Sequence, residues 1–183
     1  MQNTQTQTQL QPGHYDLDPQ RSVIRFRTRH LFGLGPVRGT FALRSGAVSV
    51  TDPLDGSAVY AEIDAASFTT GNPQRDRTVL LPRHLDAAAY PVITFAAQGA
   101  HQESTGPAAG VVSGTLTVRG VERPVTLTVT AAEPDGAEIA VAASMQIDRF
   151  DFGLTAMRGL AGRYLDLDLA ATFVRRNGGP RHV

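Results

Sequence analysis

Alternation of apolar and polar residues is the feature that most constrains how this chain can fold. In SVIRFRTRH, residues 22–30, one face of an extended chain carries Ile24, Phe26 and Thr28, and the other face carries arginines. The same period of two recurs along the chain, separated by turn sequences such as Pro134-Asp135-Gly136. A period of two indicates strands, and no long helical period competes with it. The pattern therefore predicts an all-β, antiparallel fold of eight to ten strands.

The apolar faces of these strands must close on one another, because the opposite faces are polar. A sandwich and a closed barrel both achieve this, and a barrel also removes exposed sheet edges. Small residues on the apolar faces favour a barrel with an internal cavity, since a packed interior fills almost all its volume. The alternative is that they only make room for large neighbours such as Phe26 and Phe41. These small residues are Gly39, Ala61, Ala65, Ala97, Gly114, Ala131, Ala143 and Ala171.

Length and composition place this chain among single-domain proteins. Its 183 residues suffice for one core, which we place at residues 14–175, between a disordered polar leader (1–13) and a flexible tail (176–183). Basic and acidic residues balance at 17 each, so no overall field favours nucleic acid. No apolar run is long enough to insert stably into a membrane. Without a signal peptide in the leader, we expect a cytoplasmic protein.

Residues typical of catalysis are scattered along the chain. The five histidines form no metal-binding pair and cysteine is absent, so we predict no metal site and no cofactor. No Gly-x-Ser-x-Gly elbow supports a nucleophile. The stripe formed by Arg25, Arg27 and Arg29 is best interpreted as a solvated exterior paired with acidic residues such as Asp166 and Asp168. We therefore assign no catalytic residue.

The alternation stops in residues 69–95, where Arg75, Asp76 and Arg77 form a charged cluster. Asn72 can cap a helix, and Pro73 suits its first position. We predict a short helix over residues 73–81 that covers one end of the barrel. Asp76 falls in its first turn, where the helix dipole favours a negative charge.

Several ordered sequence pieces resemble the YceI-like family of polyisoprenoid-binding proteins. The resemblance runs from about Tyr15 to Phe173. The pieces are YDLDPQRSVIRFRTRH, VRGTF, the Arg75-Asp76 pair followed by Leu85-Asp86 and YPVITF, then GTLTVRGVERPVTLTV and IDRFDFGL. The chain departs from the family at Thr78 and Val79, where a His-Leu pair is usual, and at His84-Leu85, where two aromatic residues are usual. The loop from His30 to Val37 is also about one residue longer.

The resemblance implies an antiparallel, lipocalin-like β-barrel of about eight strands with a short helical insertion around residues 72–87. Its elongated channel would hold a long-chain isoprenoid lipid, such as a prenyl quinone or a polyprenyl chain. The resemblance also implies a homodimer, and many resembling proteins are exported. The residues expected to line the channel are Phe26, Phe41, Ile63, Phe68, Leu80, Phe95, Gly114, Leu116, Leu127, Val141, Phe152 and Leu167.

The head group of the lipid would lie near an opening of the channel. Candidate contacts there are His30, Arg75, Asp76 and Arg149. On this interpretation the protein is a non-enzymatic carrier or store of an isoprenoid lipid. Two alternatives stay open: a lipid-modifying enzyme that uses His30, Asp76 and Arg149 inside the barrel, and a filled barrel that serves as a structural or interaction module.

Overall fold

The alternating segments form nine strands in the part of the chain that the computed structural model describes, residues 10–30, 35–99 and 110–176. One α-helix, α1 (Pro73–Val79), and three short 3₁₀ helices (Leu54–Gly56, Ala65–Ser67 and Arg149–Phe152) interrupt them. The strands are β1 (Gly13–His30), β2 (Gly35–Phe41), β3 (Leu43–Val50), β4 (Ala58–Asp64), β5 (Val92–Gln98), β6 (Gly110–Val118), β7 (Val121–Asp135), β8 (Glu138–Asp148) and β9 (Tyr164–Arg175).

The strands close into an antiparallel barrel. From β3 to β9 each strand pairs with the next, and β1 pairs with β9 to complete the ring. The two halves of β1 have different partners on its other side: residues 13–16 pair with β3, and residues 24–30 pair with β2. Because only Ala42 separates β2 from β3, these two segments form one bent side of the wall. The barrel therefore has eight sides, which confirms the predicted all-β fold of about eight strands.

The antiparallel order assigns each connection to one of two ends of the barrel. The connections after β4, β6 and β8 (residues 65–91, 119–120 and 149–163) lie together, and we call this the α1 end. Residues 51–57 and 136–137 lie at the opposite end. None of the helices in the described ranges is long and apolar enough to cross a bilayer. Most of the predicted leader (residues 1–9) and tail (residues 177–183) lies outside the described residues.

The interior of the barrel differs between its two ends. Near the α1 end, the rings of Phe26, Phe41 and Phe68 form a cluster with centroids 5.2–5.6 Å apart. Gly39 lies against this cluster, and a Cβ atom there would come within 2.4 Å of the Phe26 ring. Towards the opposite end the core is filled by buried side chains. They are Tyr15, Leu17, Val50, Val112, Ile139, Ala171 and Phe173.

The predicted helix is present at residues 73–79, two residues shorter than expected. The Asn72 side chain caps it by accepting a hydrogen bond from the backbone N–H of Arg75 at 3.0 Å. It ends early because the chain turns back on itself: the N–H groups of Leu85 and Ala87 donate to the carbonyls of Val79 and Leu80. These bonds satisfy carbonyls that a continuing helix would otherwise use.

All three arginines of the β1 stripe are exposed: Arg25 and Arg27 lie on the outer wall of the barrel, as predicted, and Arg29 lies near the end of the strand, beside the α1 end. Arg27 forms an ion pair with Asp168 of β9, with 2.9 Å between its Nη2 and the carboxylate oxygen. Both side chains are about half exposed. An exposed pair of this kind contributes about 0–1 kcal/mol to stability. The stripe therefore belongs to the solvated surface.

Candidate functional site

A cavity of about 610 Å³ lies inside the barrel, in the half next to α1. All nine strands contribute at least one lining residue from the half nearer α1, including Leu43 of β3, Leu127 of β7, and Met145 with Ile147 of β8. Apart from Arg29 near the end of β1, the lining residues of each strand share one face of that strand, as in Leu165, Leu167 and Leu169 of β9. The period-two pattern thus builds the cavity wall directly.

The cavity opens towards solvent at the α1 end. Its lining there includes Met157 and Leu160, whose residues are 50% and 44% exposed, and also the exposed residues Arg29 and Gln74. At the other end, the buried residues that fill the core are absent from the described lining. The cavity is therefore a compartment with its opening beside α1 and a packed floor.

Apolar side chains make up almost the whole wall of this compartment. Along the strands, Thr28 is the one polar lining residue other than Arg29 in the described part of the chain. Such a wall can hold an apolar chain by burial alone, without a specific polar contact. A filled barrel would have no such space, so the cavity argues against the filled-barrel alternative.

The ionisable side chains that line the cavity all belong to basic residues. Among the described residues they are Arg29, Arg75, His84 and Arg149, and no carboxylate lines the cavity. They lie near the opening rather than at the floor, because their elements are at the α1 end. The opening is therefore a site of positive potential above an apolar wall.

Arg149 holds the segment 153–163 in place across this end. Its Nε donates to the carbonyl of Gly162 at 2.7 Å, and its two Nη groups donate to the carbonyls of Leu154 and Ala161. Burial lowers the pKa of the Arg149 guanidinium, and the charge of Asp148 opposes this effect. Since Arg149 is only 9% exposed, its hydrogen bonds to carbonyls compensate for much of its lost hydration.

Gly162 sets the contact between this segment and β1. A Cβ atom at position 162 would come within 2.0 Å of the Thr28 hydroxyl oxygen and 2.3 Å of the Arg29 carbonyl oxygen. Only a residue without a side chain permits this approach. Arg149 and Gly162 together fix one side of the opening.

His84 lies on the other side of the opening, after α1. Its pKa is lowered, first by burial and then by the positive charges of Arg149, Arg83 and Arg119. The imidazole is therefore neutral at neutral pH. It can donate or accept a hydrogen bond at the opening without adding charge.

Asp76, a predicted head-group contact, lies outside the cavity lining. Its carboxylate accepts hydrogen bonds from the backbone N–H and hydroxyl of Thr70 at 2.9 and 2.6 Å, and from the hydroxyl of Thr69 at 3.0 Å. Burial raises the pKa of Asp76, but these bonds and the charge of Arg75 outweigh it, so the pKa is lowered. Asp76 thus ties α1 to the residues that precede it.

Most of the predicted channel residues lie around the cavity. Among the predicted head-group contacts, Arg75 and Arg149 line it, while the side chain of His30 lies outside what the structure describes. That these residues contact a ligand stays a prediction. The predicted channel residues in the lining are Phe26, Phe41, Ile63, Phe68, Phe95, Leu116, Leu127, Phe152 and Leu167.

Three predicted channel residues lie outside the described lining: Leu80, Gly114 and Val141. Leu80 follows α1 and packs against the core from the turn. Gly114 lies beneath an aromatic ring, since a Cβ atom there would come within 2.8 Å of the Phe95 ring. Val141 pairs with Ala171 in the filled half of the barrel, away from the cavity.

The lining also includes residues that the sequence prediction missed. Met145 and Ile147 lie on the apolar face of β8, so the period of two was a sufficient signal for both. The irregular segment 153–163 contributes Leu154, Met157 and Leu160, and its sequence shows no alternation that could have predicted them. Their positions depend on the bonds of Arg149.

The described residues hold no group of three or more metal-binding side chains. The candidate acid–base residues of the enzyme alternative also have other partners: Asp76 accepts from threonines outside the cavity, and Arg149 donates to backbone carbonyls. This arrangement is typical of structural roles for both side chains.

Comparison with known proteins agrees with this geometry. The family described as YceI-like domain matches residues 15–173. A protein named UPF0312 protein from Pseudomonas savastanoi pv. phaseolicola is 28% identical over 168 residues, which cover 88% of this chain and 85% of that protein.

Solved structures with the same fold include that of BcnA from Burkholderia cenocepacia, with a TM-score of 0.74 and 20% identity over 85% of this chain and 98% of that one. A second is described as a polyisoprenoid binding domain from Saccharophagus degradans implicated in plant cell wall breakdown. It has a TM-score of 0.67 and 19% identity, and the match covers 91% of this chain and all of that one.

Proposed function

The chain belongs to the YceI-like domain family, and from this premise we propose that it binds a long-chain isoprenoid lipid, without catalysing a reaction, in order to carry or store it. The lipid would be a prenyl quinone or a polyprenyl chain. The observation that carries the proposal is the apolar cavity of about 610 Å³ inside a closed barrel. The solved relative from Saccharophagus degradans, described as a polyisoprenoid binding domain, supports the same class of ligand.

The cavity wall supplies the driving force for this ligand class. Burial of each methylene contributes about 0.8 kcal/mol, and part of this gain is lost to ordering of the chain. Because the wall is apolar on all sides, affinity comes from chain length and shape rather than from hydrogen bonds. An isoprenoid, which is branched and wholly apolar, suits such a wall.

The depth of the cavity limits how much of the chain can be enclosed. On β9 the lining runs from Leu165 to Leu169, four residue steps of about 3.3 Å, or about 13 Å along the strand. We therefore expect affinity to rise with each isoprene unit until the compartment is full and then to level off. The rest of a longer chain would lie in the opening beside α1.

The head group would lie at the same opening, among the basic residues. Arg75 and His84 line it from the α1 side, and Arg29 lines it from β1. Guanidinium and imidazole groups can donate hydrogen bonds to a quinone carbonyl or a phosphate oxygen. We propose Arg75 as a contact of the head group.

The proposal is tested by native purification, organic extraction and mass spectrometry, followed by calorimetric titration with prenyl quinones of increasing chain length. We expect a co-purified apolar lipid and an affinity that increases with chain length to a plateau. The quinone head without its tail is the matched control and should bind at least 100-fold more weakly. An empty extract together with no binding of any prenyl quinone would contradict the proposal.

We also propose a homodimer, which the family resemblance implies. Sedimentation equilibrium should then give twice the chain mass of 19.5 kDa. A monomer at micromolar concentration would contradict the dimer and leave the lipid proposal unaffected.

A further inference from the structure

Exposed apolar side chains are concentrated at the α1 end of the barrel. Five of the six large hydrophobic side chains that are exposed in the described residues lie there. Leu81 is 54% exposed in the turn after α1, while Met157 and Leu160 project from the segment across the opening. The exception is Tyr60, on β4. Apolar side chains collected around an opening mark a surface that contacts something apolar.

Arginines accompany these apolar side chains. The segment 77–85, which holds Leu81, contains Arg77 and Arg83 and no acidic residue. The segment 153–163 contains Arg158 and Arg163 and likewise no acidic residue. Arg163 forms an ion pair with Asp148, and Arg158 lies over the Phe150 ring at 5.1 Å. Taken together, the three connections at the α1 end (residues 65–91, 119–120 and 149–163) hold seven arginines and three aspartates, Asp76, Asp86 and Asp151. The rim of the opening thus combines apolar side chains with an excess of positive charge, although the whole chain has no net charge.

This combination fits one kind of surface, the anionic face of a lipid bilayer. Apolar side chains can enter the boundary between head groups and acyl chains, while arginines contact the lipid phosphates. A protein partner would need a surface shaped to match both segments. A bilayer is deformable, so it can accept apolar side chains from two separate segments without such a match. The same two segments line the cavity, so a bilayer in contact with them would lie against its opening.

We propose that the α1 end docks on the surface of an anionic lipid bilayer, with Leu81, Met157 and Leu160 in the interface and Arg83 and Arg158 against the phosphates. The inference rests on the proposed function, because it gives the lipid a direct path between the bilayer and the cavity. The contact is peripheral and reversible. Its strength depends on negative lipid charge and falls with added salt.

Co-sedimentation of the full chain with sucrose-loaded vesicles tests this inference. Vesicles of phosphatidylcholine with phosphatidylglycerol should bind the protein, and vesicles of phosphatidylcholine alone should bind it at least tenfold more weakly. Combining Met157→Ser with Leu160→Ser should weaken binding at least tenfold. Combining Arg83→Gln with Arg158→Gln should weaken it by about fivefold per arginine. These side chains are exposed, and a thermal melt confirms that each variant is folded.

Matched control variants lie away from the opening. Among the described residues, Tyr60→Ser removes the one exposed large hydrophobic side chain that does not lie at the α1 end. The double variant Arg25→Gln with Arg44→Gln removes two exposed charges from strands β1 and β3. Both controls should bind anionic vesicles as the unmodified protein does.

Three results would overturn the inference: no vesicle binding, equal losses in the control and α1-end variants, or binding that ignores lipid charge. A vesicle-independent dimer that Leu160→Ser dissociates would instead assign this surface to a second copy of the chain. Lipid extraction distinguishes the two proposals. A protein that carries a lipid but ignores vesicles refutes docking alone, and one that carries none refutes the proposed function.

Discussion

Filling the cavity without disturbing the barrel should weaken lipid binding while leaving the fold intact. Ala61 is suited to this test because it lines the cavity from β4 and is half-buried. Its backbone neighbour across the sheet is Phe95, which also lines the cavity. The substitution Ala61→Phe places a phenyl ring in the space that we assign to the isoprenoid chain.

The size of the effect follows from the ligand carbons that the ring displaces. A phenyl ring excludes roughly six carbons of the ligand, and at about 0.8 kcal/mol each the lost burial reaches about 5 kcal/mol. Complete loss would weaken affinity by about three orders of magnitude, since each 1.4 kcal/mol is about tenfold. Repacking of the ligand recovers part of this, so we expect a loss of at least tenfold. Filling empty space should also raise stability, by about 0.5–2 kcal/mol.

Calorimetric titration with a prenyl quinone and chemical denaturation measure the two effects separately. Ala96→Phe is the matched control, because Ala96 is exposed on β5, the strand next to β4. The control should bind the quinone with unchanged affinity. An Ala61→Phe protein that is folded and binds as tightly as the control would refute the assignment of the cavity as the lipid site.

Three further predictions concern the elements that build the opening. Arg149→Gln should destabilise the protein by about 3 kcal/mol, as hydrogen bonds from a charged group are lost, and hydrogen exchange should then accelerate in residues 153–163. Asp76 has a lowered pKa in the fold. Its carboxylate therefore stabilises the protein fully above the unfolded pKa of 3.8, and this contribution is lost as the pH falls through the folded pKa. In denaturation curves, the difference in stability between Asp76→Asn and the unmodified protein should accordingly disappear at acid pH. Gly162→Ala should lower the free energy of unfolding by about 1–3 kcal/mol, because the added methyl group overpacks against β1. Gly153, by contrast, has a φ of 74° and open space around it, so Gly153→Ala should lower it by about 1–2 kcal/mol through backbone strain alone. Equal melting temperatures for the unmodified protein and Gly162→Ala would contradict the close contact.

The barrel itself could be predicted from the sequence because its determinants are local. A period of two identifies both the strand and its buried face, and the lining residues of β4 and β9 alternate as that rule requires. The helix could be predicted for a similar reason, since Asn72 and Pro73 act on adjacent residues. Periodicity alone left sandwich and barrel open, and the pairing of β1 with β9 decides between them.

The cavity boundaries could not be predicted, because they depend on contacts between distant residues. Gly114 lies on the expected face, but the Phe95 ring of the neighbouring strand covers it. Val141 also belongs to an alternating strand, yet its half of the barrel is filled. The segment 153–163 has no periodic signal, and three carbonyl contacts to Arg149 set its course.

The packed floor of the barrel has a consequence for the kinetics of lipid exchange. A compartment with a single opening takes up the lipid tail first and must release it through the same opening. A lipid donor and a lipid acceptor that both use this opening cannot bind the protein at the same time. Transfer would then follow a shuttle scheme, in which the loaded protein leaves one before it meets the other. Its rate would depend on dissociation of the protein rather than on the formation of a ternary complex.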